Sequence, residues 1–183
     1  ELKALFVAIS KSLREVLHND YTSLALHDKE RNRLKIYALD FPTGSGLVRE
    51  AMDVPLEGSR SGKAFTERRP LLIKDFDSPE FHSEVSKRLS QEGLRSGVSL
   101  PLISNQGPIA TMTLASRRDD AFTESDVELM VQISVQVAIA VENALAFQQI
   151  GELKNKLAKE KLYLEDEIRT EFNFDEIVGR SSA

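Results

Sequence analysis

The sequence contains no cysteine and no tryptophan, three histidines, nine glycines and six prolines in 183 residues. The absence of cysteine excludes disulfides, thiolate metal sites, cysteine nucleophiles and covalent bilin attachment. So little Gly and Pro argues against a low-complexity chain. Neither sign of charge dominates: 24 basic against 29 acidic residues leave a net charge of -5, which excludes a general nucleic-acid surface. No unbroken run approaches the roughly 18 apolar residues of a membrane span, and no signal-peptide pattern opens the chain. The expectation is a cytoplasmic protein without a membrane partner. No Ser-His-Asp arrangement, paired acid/base signature or phosphate-binding Gly-rich loop is present, so no catalytic residue and no cofactor are assigned.

At 41% hydrophobic and 29% charged residues, the composition is that of one globular domain plus an extension. The chain opens inside a helical pattern with no initiating methionine, as a segment of a longer protein would. Leu2, Leu5, Phe6, Ile9, Leu13, Val16 and Leu17 recur at three- and four-residue spacing and predict a helix over 2–18. Two alternating runs, 21–28 and 34–39, read as a hairpin. A loop rich in Pro, Gly and Ser follows, then a short helix over 62–68 and a brief strand over 71–74. A helix over 79–92 has Pro79 in its first turn and Gly93 at its end. Strands over 97–104 and 108–117 pair across Asn105-Gln106-Gly107. Thr123 and Asp126 form a near capping box for a long final helix. This order makes an α+β domain, with an antiparallel sheet and terminal helices on one face.

Several stretches resemble the GAF family of sensory domains. Pro55 to Asp75 is similar to the family's approach to its third strand. Leu100-Pro-Leu, the turn at Gly107, Leu114-Ala-Ser, Ala121 to Asp126 and Ala138 to Ala144 are similar to its closing half. The resemblance covers residues 1–149 and implies an antiparallel sheet of five or six strands. The terminal helices would cover one face and a ligand pocket would occupy the other. Residues 172–183 resemble the entry to the AAA+ ATPase of sigma-54-dependent activators of the formate-hydrogenlyase type. They are expected to be frayed without that ATPase to pack on. DNA and sigma-54 polymerase would then be partners only through other parts of the protein.

Period-two alternation assigns Val98, Leu100, Leu102, Ala110, Met112, Leu114, Leu24, Leu26, Leu34 and Ile36 to the helix-covered face. Ser99, Thr111, Thr113, His27 and Tyr37 fall on the other. The segment Lys74–His82 would cover that second face, with Phe76 and Phe81 as apolar plugs and His82 as a titratable group. Arg60 and Arg95 are the cations expected to hold an anion, because a guanidinium pairs with a carboxylate through two hydrogen bonds. The expected ligand residues are Tyr37, Arg60, Phe76, Phe81, His82, Arg95, Ser99, Thr111 and Thr113. The resemblance to formate-hydrogenlyase activators implies a small carboxylate.

A metal at Asp75, Asp77, Glu80 and His82 is set aside, since acidic residues at a turn before a helix are ordinary caps. A cyclic nucleotide is also set aside: Phe122 and Asp126 match the family's nucleotide pattern, but Gln106 and Val127 depart from it.

Ile150, Leu153, Leu157, Leu164 and Ile168 are spaced as a short coiled-coil seam over 150–171, with one layer missing at Glu160 or Lys161. The expected partner is a second copy, in parallel. A ligand-free dimerisation scaffold, or the sensor of a histidine kinase or cyclase, are the alternative readings. No histidine follows His82, as a phosphoacceptor would require.

Overall fold

The computed structural model describes residues 2–179. Along the chain run α1 (Leu2–Leu17), β1 (Tyr21–Asp28), β2 (Arg33–Asp40), β3 (Asp53–Val54), α2 (Arg60–Glu67), β4 (Leu71–Ile73), α3 (Glu84–Gln91), β5 (Ser96–Ser104), β6 (Gly107–Ser116) and α4 (Glu124–Gly179). They form two compact units, Glu1–Glu142 and Asn143–Ala183.

In the first unit six antiparallel strands lie in the order β3-β2-β1-β6-β5-β4. β5 and β6 are the longest pair, and their sequence alternates because one face packs apolar side chains under α1 and α4 while the other carries hydroxyls under α2. On one face Leu2, Phe6, Leu24, Met112, Val137 and Val141 converge around a void of about 10 Å³. Leu100, Leu102, Met112 and Leu114 are almost wholly hidden. Each contributes roughly 1.5–3 kcal/mol by burial. On the other face Tyr21, Ala25, Leu34 and Ile36 meet Val54, Phe65, Ile73, Phe76, Val85 and Leu89.

Local chemistry explains the element ends. Thr123 and Asp126 cap α4 reciprocally, each side chain accepting the other's backbone N–H at 2.8 and 3.2 Å. At α3 the cap is Ser83, whose hydroxyl accepts from Ser86 N. The helix therefore starts at Glu84, and Pro79 lies in the preceding turn instead of in its first turn. The two-residue β3, unforeseen from sequence, is too short to show an alternation.

The expected faces of β2 are corrected. Ala25 pairs with Ile36 and His27 with Leu34, while Leu24 pairs with Ala38, so Tyr37 is an extra residue in a β-bulge. Leu34 and Ile36 consequently share the face of Ala25 and His27. Tyr37 turns to the α1 side, where Lys3 sits 5.9 Å from its ring centroid.

α4 also contains an 18-residue window of mean hydropathy 1.5, long and apolar enough by composition to cross a membrane. Counting unbroken apolar residues missed it because uncharged Gln132, Ser134 and Gln136 interrupt the run. In the first unit Met130, Val137, Ala138 and Val141 of this helix are buried in the core.

The second unit is helical through Gly179. Leu153, Leu157, Leu164 and Ile168 are each more than half exposed within it. The expectation for the tail falls in part on residues 180–183, which lie outside the described residues.

Glu92 ties the loop after β2 to the sheet edge. It is buried, and its carboxylate accepts from Ser45 N at 2.8 Å and Leu47 N at 2.9 Å. Burial pushes its pKa up. The two N–H donors and nearby Arg117 outweigh this, so it ends below the ordinary 4.5. A depressed carboxylate stabilises the fold above its unfolded pKa, and that stability is lost as pH falls through the folded value. Glu92→Gln is therefore expected to cost about 1 kcal/mol at pH 7. The difference from wild type should shrink as pH falls from the unfolded range through the depressed folded value, below which both carry a neutral side chain. Urea unfolding at pH 7 and at steps down the acid range checks this.

Candidate functional site

α2 carries the charge of the site. Ser59 caps it: the hydroxyl accepts from Gly62 N at 3.0 Å, and the extended backbone at Ser59 turns the chain into the helix. That cap places Arg60 at the first helical position, facing the sheet, with only 3% of its surface exposed. Its guanidinium lies between two rings, 4.5 Å from the centroid of Phe76 and 4.4 Å from that of Phe81. Nη2 donates to the carbonyl of Asp75 at 2.9 Å. Nε and Nη1 are buried and have no acceptor. Burial pushes the guanidinium down to about 10, against the pull of Asp75, Asp77 and Glu80. It stays cationic at neutral pH.

Beneath Arg60 the sheet presents hydroxyls. Ser99 and Thr113, paired across β5 and β6, lie 2.7 Å apart through their oxygens, and Ser61 of α2 reaches Thr113 at 3.1 Å. Tyr21, Ser23, Ile36, Ile73, Phe76 and Ser86 complete a cavity of about 10 Å³ bounded by Arg60 and Thr113. Space of that size holds about one water-sized group. Burial pushes the Tyr21 phenol up to about 12, partly offset by Ser23. A buried cation with spare N–H groups, a hydroxyl cluster and apolar walls can bind a small acceptor-rich anion away from water.

The cover is fastened at several points. Lys63 pairs with Glu80, Ser90 donates to Asp77, and Ser83 N donates to Gly58 O at 2.9 Å. Asp75 accepts from Asp77 N at 2.7 Å. The acidic residues of this segment are thus engaged separately. Among the described residues no cluster of three or more His, Asp or Glu is arranged to hold a metal.

The GAF domain profile matches residues 1–141, more than three quarters of the chain. The chain belongs to the GAF domain family. Formate hydrogenlyase transcriptional activator FhlA of Escherichia coli is 28% identical over 186 residues, covering 100% of this chain and 27% of that protein. The chain thus spans about a quarter of the length of this curated relative. The GAF domain of a two-component sensor histidine kinase from Bacillus halodurans superposes with a TM-score of 0.70 at 18% identity, over 81% of this chain and 98% of that one. A type II free methionine-R-sulfoxide reductase from Thermoplasma acidophilum does so with a TM-score of 0.63 at 15% identity, over 78% and 93%. At such identities the shared property is the fold.

Within this GAF domain the structure brings together Arg60, Phe76, Phe81, Ser99 and Thr113. Thr111 shares their face and is buried, but it does not line the cavity, and its hydroxyl has no partner. Three expected residues lie elsewhere. The bulge in β2 sends Tyr37 to the opposite face, where it lines an open cleft of about 380 Å³ with Lys3 and Glu50. Arg95 projects from the sheet edge toward Asp119 at 3.4 Å, both side chains mostly in solvent. His82 is exposed and packs over Gly58, where an added Cβ would lie 3.0 Å from its ring. Tyr21, Ser23, Ser59, Ser61 and Ser86 were not singled out. The first two were accessible from period two, because they alternate with Ala25 and His27 on one face of β1. The serines sit at helix starts, where capping explains them and conceals a second role.

Proposed function

We propose that this GAF domain is the ligand-sensing regulatory part of a sigma-54-dependent transcription activator of the formate-hydrogenlyase type, binding a small carboxylate at Arg60. The observation that carries the reading is the buried guanidinium whose Nε and Nη1 lack acceptors. Leaving charged donors unmatched costs about 1–3 kcal/mol or more, so a fold that retains them gains when an anion arrives. FhlA, similar across the whole chain, is by its name a transcriptional activator. In this reading the domain is non-catalytic and cytoplasmic. Residues 1–149 sense, and residues 150–171 join two copies through Ile150, Leu153, Leu157, Leu164 and Ile168. Residues 172–183 lead toward an ATPase, and contacts to DNA and polymerase belong to further segments.

Calorimetric titration with formate, acetate, propionate and nitrate tests the proposal. Formate and nitrate are expected to bind as the cover of Phe76 and Phe81 gives way, since the closed cavity holds only one water-sized group. Affinity should fall at each added methylene because the space is small. Silence from all four would leave the ligand-free scaffold as the better account.

A further inference from the structure

We propose that residues 153–172 pair with a second copy of the chain in antiparallel orientation, an inference that rests on the dimer reading above and specifies its geometry. The charge is divided along the segment. Residues 154–161 carry Lys154, Lys156, Lys159 and Lys161 against Glu160, while residues 165–171 carry Glu165, Asp166, Glu167 and Glu171 against Arg169. Among the described residues the ion pair Lys161–Glu165, at 3.7 Å, is the one formed within this segment. Its other charges have no ion-pair partner within 4.0 Å among the described residues.

Heptad spacing through Ile150, Leu157, Leu164 and Ile168 puts Lys154, Lys161 and Glu171 on the same seam and moves Leu153 to its flank. A parallel pair in register would set each of these against its own copy, giving three like-charged layers. One antiparallel alignment removes all three. It faces Lys154 with the partner's Glu171, Leu157 with the partner's Ile168, and Lys161 with the partner's Leu164. The basic half then lies along the acidic half, and Lys159 meets the partner's Asp166. Leu157, Leu164 and Ile168 keep 63%, 55% and 54% of their surface exposed in the single chain, so this face has apolar area to bury.

The absence of cysteine makes the test direct. A nitroxide on Gln148→Cys, outside the seam, reads the orientation by pulsed dipolar spectroscopy on the whole chain. The antiparallel alignment separates the two labels by about 43 Å along the axis, at 1.5 Å per residue. A parallel pair sets them side by side, one helix spacing of about 10 Å plus the reach of two outward labels, below about 30 Å in all. A distance above about 40 Å, with a dimer that weakens several-fold from 50 to 500 mM NaCl, supports the proposal. A distance below about 30 Å keeps the dimer and overturns its orientation. A dimeric mass without either distance places the interface elsewhere and also overturns it. A monomeric mass by light scattering, at any concentration up to about 200 µM, removes the dimer itself; tens of micromolar is the range where about 6 kcal/mol of association would show.

Discussion

Arg60→Met is expected to abolish the response of this domain to small anions while raising the stability of the free protein. The two effects have one cause. The wild-type fold holds a cation with donors unmatched at Nε and Nη1, and methionine fills similar volume between Phe76 and Phe81 without that penalty. Replacement of buried ionic groups by packed apolar side chains is neutral to stabilising by up to about 4 kcal/mol, of which the lost bond to Asp75 O takes back about 1 kcal/mol. In a chain of this size each kcal/mol raises the melting temperature by about 2–4 °C. On the proposed reading, formate at a hundred times its dissociation constant should stabilise the wild type by about 2.7 kcal/mol, and the variant by nothing. Thermal unfolding with and without formate reads both effects. A variant that melts earlier and still responds would make Arg60 a fastener of the cover, held to Asp75 O, and would move the ligand elsewhere.

Gly62→Ala should be the most damaging single-methyl substitution in the site. A Cβ at Gly62 would sit 2.2 Å from the carbonyl oxygen of Leu56 and 2.5 Å from its carbonyl carbon. Both are backbone atoms, so relief requires α2 to withdraw from the 55–58 loop, taking Arg60 and Ser61 with it. Overpacking of this kind costs roughly 3 kcal/mol when the neighbour cannot rotate away. Gly151→Ala is the control, since nothing lies near that position. It should gain up to about 1 kcal/mol of helix propensity. Urea midpoints separate the two; equal midpoints would mean that the close approach of α2 to Leu56 is easily relieved.

The fold was legible because its longest elements carry their own periods. β5 and β6 alternate strictly, α1 repeats at helical spacing, and Thr123 with Asp126 marks the start of α4. The site was legible where residue type and position together suggested a role: Arg60 follows a Gly-Ser turn, and Phe76 and Phe81 are the aromatics of an otherwise polar stretch over 74–82. Period two says which residues share a face within one strand, but not which face meets which layer. That is decided by pairing, and the extra residue at Tyr37 reverses the expectation for β2. Arg95 was chosen by proximity to a strand end, but proximity in sequence does not give the direction of a long side chain at a sheet edge. Ser61 was hidden because a serine in a first helical turn has an ordinary explanation.

The placement of Thr113 has one more consequence. Its hydroxyl belongs to the cavity, while its neighbours Met112 and Leu114 are buried on the opposite side of the same strand, Met112 beside Phe6 and Val137. Cavity-bearing surface and helix-bearing surface are therefore the two sides of one peptide ribbon, with successive residues about 3.4 Å apart along the chain. A pull on the hydroxyl that rotates this ribbon must swing its back in the opposite sense. The proposed sensor would then need no relay of intervening side chains: the central strand would itself be the lever.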